Sequence, residues 1–274
     1  MTKSACELFY DRVAHNYDHM YQTAYWEFYN AVVWHNLKKY LPSNMASKIL
    51  DIGGGTGLWA LKLAKSGYKV TLSDISHKML DVGRQKAETM GLSARLEFIK
   101  ADICDLSAFT NEAFDLVIAQ GDPLSYCDNS KQAMKELYRV LKPAGILIAS
   151  VDNKLSGMKL FIRQGLVDEF ETFTRTGQSK WFTRDEAEQY PITFFTPDEL
   201  RVLLSHSGFE VLSLIGKMVL PLGEVYDAQK RQTDSSILKD PKTFDRLLKL
   251  ELKFHATEAL LGGASHLEIV GKKI

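Results

Sequence analysis

The chain lacks a cysteine framework: its three cysteines, Cys6, Cys104 and Cys127, are scattered and odd in number. That excludes a disulfide scaffold and a C-x-x-C metal knuckle, and a reducing cytoplasmic setting is the expectation that follows. Excess charge of either sign is missing too, since Lys+Arg and Asp+Glu both number 34. The weak overall field supplies no general attraction to nucleic acid or to an anionic membrane. No long uninterrupted apolar run and no apolar N-terminal signal core occur, so neither a membrane span nor export is expected. Internal repeats are absent as well. What is present is ordinary globular composition, 45% hydrophobic and 25% charged over 274 residues. That length suffices to bury a sizeable core, as one large domain or two small ones.

The informative stretch is residues 48–57, K-I-L-D-I-G-G-G-T-G. Ile49, Leu50 and Ile52 have no helical spacing and suit a short strand buried on both faces of a parallel sheet. Gly53, Gly55 and Gly57 then alternate, where glycine permits positive φ and a close approach of bare backbone to a ligand. Leu58, Ala60, Leu61, Leu63 and Ala64 follow with the spacing of an apolar helical face. A strand, a glycine loop and a helix N-terminus in that order mark the ligand end of an open α/β sheet. A dinucleotide loop wants G-x-G-x-x-G, and its third glycine would fall at Leu58. The chain instead places Asp51 ahead of G-x-G-x-G. From the loop alone, a nucleotide-type cofactor is expected and its class is open.

In this feature the sequence resembles the class I S-adenosylmethionine (SAM) dependent methyltransferases, whose first motif is acidic-x-G-x-G-x-G. The resemblance implies that Asp51, Gly53, Gly54 and Gly55 belong to a SAM site. Asp74 closes a second strand 21 residues after Gly53, where an acidic group can accept both ribose hydroxyls of a nucleoside; Ile75 follows it. Ser76 suits the N-cap of a helix over 77–90. Within that helix Met79 matches the family residue that packs on adenine. A third strand over Leu96–Lys100 ends before Asp102 and Ile103, which match the pair that takes the adenine amino group and contacts the ring. A fourth, Phe114–Ala119, ends in Gln120 and Gly121, which by resemblance face the methionine end. The segment F-Y-D-R-V-A-H-N-Y-D is similar to the entry of ubiquinone and menaquinone methyltransferases, in which an aromatic at the position of Tyr17 covers the cofactor. Ala144 stands in L-K-P-A-G where the family turn has L-K-P-G-G.

Strands alternate with helices to the end of the chain, so a single doubly wound domain is expected: a Rossmann-like, seven-stranded, mostly parallel sheet. It would comprise N-terminal helices (1–45), a SAM-binding core (46–152), a lid-like insert (153–195) and a C-terminal part (196–274) with a helical insert at 221–262. Thr196-Pro197-Asp198-Glu199 reads as a capping box opening a late helix. Residues 156–190 read as a loose insert in which Phe161, Phe170, Phe173, Trp181 and Phe182 interleave with Arg163, Arg175, Lys180 and Arg184. The aromatic-rich segments on either side of the core are expected to close over the site.

The expected activity is methyl transfer from SAM, leaving S-adenosylhomocysteine, with Tyr17, Tyr126 and Asn153 as the acceptor-side candidates. No metal is expected, because His15 and His19, four apart, have no third ligand near them. The neutral charge balance and aromatic caps favour a small-molecule acceptor. A tRNA acceptor is the alternative: Ala31 to Leu37 and the tail G-A-S-H-L are similar in style to a bacterial methyltransferase of a carboxymethoxy-modified wobble uridine. Tyr29 stands where a basic residue for that carboxylate would be sought. A non-catalytic SAM-binding regulator would keep Asp74 and Asp102 without an acceptor pocket. Nothing in the sequence sets the oligomeric state.

Overall fold

Short apolar runs separated by amphipathic helices bury themselves best with the strands side by side and helices on both faces. The computed structural model describes residues 3–181, 185–222, 226–227, 232–233 and 236–274. Its main sheet has seven strands. In chain order they are β1 (Lys48–Ile52), β2 (Lys69–Asp74), β3 (Leu96–Lys100), β4 (Phe114–Ala119), β5 (Leu141–Asp152), β6 (Phe209–Lys217) and β7 (His266–Lys273). The lateral order is β3-β2-β1-β4-β5-β7-β6. Strands β1 to β5 run parallel, and β7 is antiparallel to both of its neighbours. The order reverses between β1 and β4, which opens a crevice at their carboxyl ends. Ile49, Leu50 and Ile52 are at most 1% exposed, because helices cover both faces of β1.

The helices that position the site are α1 (Ala5–Val13), α2 (Ala24–Leu37), α3 (Leu58–Lys65), α4 (His77–Thr89) and α5 (Ser130–Val140). Ser76 caps α4 by accepting from the Met79 amide, and Asn129 caps α5. Later come α6 (Lys154–Gln164), α7 (Val167–Thr176), α8 (Pro197–His206) and α9 (Pro241–Phe254). The capping box of Thr196 and Glu199 is formed at α8.

Among its described residues, the region expected to be loose is largely regular. It consists of α6, α7 and a small hairpin pairing Gln178–Lys180 with Pro191–Thr193. Phe161 and Phe173 lie 4.7 Å apart, and Phe173 meets Phe194 at 5.0 Å. These rings form a core between two short helices instead of lining the ligand crevice, so their spacing is read too briefly to announce itself as helical. Phe182 and Arg184 lie outside the described residues.

Ala144 adopts φ +61° in the turn that leads into the apolar part of β5. A Cβ costs about 1 kcal/mol or more in that left-handed region. Ala144→Gly should therefore raise the stability of the chain by roughly 0.5–1 kcal/mol, after the loss from greater unfolded-state freedom. Urea unfolding midpoints of the two proteins would measure it.

Candidate functional site

The loop after β1 turns through left-handed backbone at Gly53 (φ +66°) and Gly55 (φ +56°). Gly54 has ordinary φ but no room: a Cβ there would overlap Leu72 and lie 2.8 Å from the Asp51 carboxylate. Asp51 is fully buried beneath the loop and accepts from the Ala60 amide at 3.0 Å. It does not line the cavity described below. Its carboxylate anchors the first turn of α3, so any part it plays at the site is through the loop it supports.

Burial pushes the Asp51 carboxyl up to about 7, the Ala60 amide opposing and the neighbouring Asp74 charge adding to the shift. The folded chain therefore holds this proton between about pH 4 and 7, where the unfolded chain has released it. Stability must fall as pH rises through that window, by up to about 1.4 kcal/mol per pH unit. The melting temperature of the ligand-free chain should drop between pH 5 and 7, and Asp51→Asn should flatten that slope.

Asp74, the last residue of β2, accepts from the Gly55 amide at 2.9 Å and from the Ser76 amide at 2.8 Å. It thus ties the glycine loop to the next strand end. Burial raises its carboxyl to about 6 against these amide bonds. Beside it lies a cavity of about 770 Å³ lined by Gly53, Gly54, Gly55, Asp74, Ile75, Met79, Asp102, Ile103, Gln120 and Gly121. Every residue that the motifs singled out for a cofactor reaches this cavity except Asp51.

Aromatic side chains roof it. Tyr17 passes over the glycine loop, with its ring carbon Cε1 3.9 Å from where a Cβ of Gly55 would be. Tyr17 meets Tyr21 at 4.9 Å, and Tyr126 meets Tyr190 at 5.8 Å. Burial pushes the Tyr10, Tyr17 and Tyr126 hydroxyls well above their usual range, so the roof carries no charge of its own. Among the described residues of the insert, only Trp181, Tyr190 and Pro191 reach the cavity. Trp34 lies elsewhere, stacked on Trp59 at 6.3 Å. Ion pairs hold the roof down: Arg12 grips Glu188 through two bonds of 2.6 and 2.7 Å, and Asp18 takes the Thr56 hydroxyl at 2.5 Å and the Lys86 ammonium at 2.7 Å. His15 and His19 are both exposed on this segment.

The same cavity is lined by Asp122, Asp152 and His266, of which only His266 falls in a stretch named from the sequence, the G-A-S-H-L tail. Behind them Gln120 donates to Glu268 at 2.7 Å and accepts from Lys217 at 3.3 Å, and Asn36 donates to the other Glu268 oxygen. Asn153 proves structural. It is fully buried outside the cavity lining, and its amide donates to the Leu261 and Ala264 carbonyls at 2.8 Å each. Its position at the start of α6 uses the side chain to fasten the end of β5 to the segment before β7.

A family model described as a methyltransferase domain matches residues 49–145. The chain is 34% identical to the ubiquinone/menaquinone biosynthesis C-methyltransferase of Rickettsia felis, an alignment covering 62% of this chain and 71% of that one. It belongs to the class I SAM-dependent methyltransferases. The tRNA 5-carboxymethoxyuridine methyltransferase of Escherichia coli K12 is 24% identical over 96% of this methyltransferase and 95% of its own length. Among solved structures, a SAM-dependent methyltransferase from Methanosarcina mazei superposes with a TM-score of 0.61 at 23% identity, over 87% of this chain and 97% of that one. The cofactor of this methyltransferase is SAM, and a crevice at the β1/β4 switch point is where such a fold takes its ligand. No described helix is long and apolar enough to cross a membrane.

Proposed function

We propose that this methyltransferase transfers the SAM methyl group to a small molecule held between the cofactor and the Asp122, Asp152 and His266 end of the cavity. The observation that carries the reading is one continuous roofed cavity that runs from the glycine loop to those polar groups. In this reading the bare backbone of Gly53, Gly54 and Gly55 meets the methionine portion, together with Gln120 and Gly121. Asp74 accepts the ribose hydroxyls, with Ile75 beside it. Met79 and Ile103 sandwich the adenine, and Asp102 takes its amino group. Tyr17 and Tyr126 cover the sulfonium, a cation that aromatic faces attract. Transfer is an in-line displacement, so holding nucleophile and methyl carbon about 3–3.5 Å apart in a dry site supplies much of the rate.

A tRNA acceptor is the second reading, favoured by the Escherichia coli relative that matches over nearly its whole length. Against it, the only Lys or Arg among the described cavity-lining residues is Lys86, which is already paired with Asp18. An anionic base or a phosphate backbone would find little to hold it there. A purely regulatory SAM binder would not need the space beyond the cofactor.

Incubation with methyl-labelled SAM and separate pools of metabolites and tRNA tests the proposal. Label should move into the small-molecule pool; transfer to tRNA alone would overturn it. Tyr17→Ala should then lower turnover about tenfold or more while moving the melting temperature less than truncation of a core aromatic would, since Tyr17 is only partly buried. Loss of stability in proportion to activity would make Tyr17 a core residue.

A further inference from the structure

We propose that Asp122, Asp152 and His266 bind a divalent transition-metal ion at the acceptor end of the cavity. The inference deepens the reading above and rests on its placement of the acceptor. Three adjacent strands supply the groups: Asp122 follows β4, Asp152 ends β5, and His266 begins β7 directly opposite Asp152 in the antiparallel register. His266 Nε2 lies 3.5 Å from Asp122 Oδ2 and 3.7 Å from Asp152 Oδ1, and the three donor atoms all fall within 4.8 Å of one another. Metal bonds of about 2.0–2.2 Å would set neighbouring donors roughly 3.0–3.5 Å apart, so little side-chain movement is needed.

At 3.5 and 3.7 Å these contacts are long for hydrogen bonds, and on the other side of each group Asp122 Oδ1, Asp152 Oδ2 and His266 Nδ1 have no hydrogen-bond partner. Asp122 is 96% buried, taking its 4% exposure, yet its Oδ1 has no hydrogen-bond partner. A buried carboxylate oxygen without a partner is costly unless a ligand completes it, and the second oxygen, Oδ2, is the one beside His266. Asp122 also holds φ +65°, a strained backbone that Ser150 helps to fix by accepting from the Asp122 amide at 3.2 Å. Tyr29 meets the His266 ring edge-on at 5.5 Å and limits its rotation. The charged groups behind the cluster are Lys217, which opposes a cation, and Glu268, which offsets Lys217.

One imidazole and two carboxylates leave open coordination positions and suit Mn²⁺, Zn²⁺ or Co²⁺. The acceptor class that fits is a hydroxyl compound whose oxygen occupies an open position and loses its proton to solvent more readily there. That oxygen's lone pair then forms the O–C bond as the S–C bond breaks, and the bonding electron pair stays on sulfur.

Chelator-treated protein titrated with Co²⁺ tests the site without any acceptor. One equivalent should bind and give a visible d–d absorption. Asp122→Asn and His266→Gln should each weaken Co²⁺ at least roughly tenfold, with SAM affinity measured in parallel to certify folding. Absence of stoichiometric Co²⁺ binding by the unmodified chain would overturn the proposal, as would equal affinity in both folded variants. Intact SAM binding with no Co²⁺ binding would remove the metal alone, whereas label transfer to tRNA would remove the reading of the acceptor.

Discussion

Asp74→Ala should weaken SAM binding at least tenfold. Two consequences of the substitution act together. The carboxylate accepts the Gly55 and Ser76 amides, so its loss leaves one part-buried and one buried donor unpaired and releases the glycine loop from the end of β2. It also removes the acceptor for the ribose hydroxyls, and hydrogen bonds to a charged group contribute about 1.5–3 kcal/mol each. Since tenfold is about 1.4 kcal/mol, the loss of one such bond is enough to reach it. Isothermal titration of SAM into both proteins would measure the change, and an unchanged dissociation constant would take Asp74 out of the site. Proton competition gives a second check on the unmodified chain. With its carboxyl raised to about 6 before ligand binds, SAM affinity should decline as pH falls below about 6, and Asp74→Asn should abolish that dependence.

Lys217→Met should destabilise the chain by about 3–5 kcal/mol, because the ammonium is fully buried and its removal leaves the equally buried Glu268 carboxylate uncompensated. Lys217 sits 4.9 Å from the centre of the Tyr29 ring and bonds Gln120, which in turn bonds Glu268. Burial drives the Lys217 ammonium down, opposed by Asp122 and then Glu268, and drives the Glu268 carboxyl up, opposed by Lys217 and by the Asn36 and Gln120 hydrogen bonds. Glu268 would have to take a proton in the single variant. The double variant Lys217→Met with Glu268→Gln should recover part of the loss, since the Glu268 charge is then gone while Asp122 still lacks the ammonium. Denaturant midpoints of the four proteins complete the cycle. A cost below about 1 kcal/mol for the single change would mean that the two charges do not depend on one another.

The part of the cavity around the glycine loop was legible because its lining residues follow strands in short order. Gly53 to Gly55, Asp74, Asp102 and Gln120 each sit at or just beyond the carboxyl end of a parallel strand, so reading the strands also reads the site. Asp51 shows where that reasoning overshoots. Its adjacency to the glycines makes it look like a ligand residue, while its carboxylate points to α3. The insert shows the opposite fault, since helices of 11 and 10 residues that pack on each other carry too short a pattern to read as regular.

By itself the sequence determined the doubly wound sheet, the glycine loop and the line of acidic residues along the strand ends, because each depends on neighbours within one strand-loop-helix unit. The tertiary structure alone decided the cluster of polar groups in the same cavity. Asp122, Asp152 and His266 are separated by 30 and 114 residues, and they meet because β7 runs antiparallel between β5 and β6. That reversal puts the first residue of β7 beside the last residue of β5, and no local periodicity records which end of a late strand will arrive there.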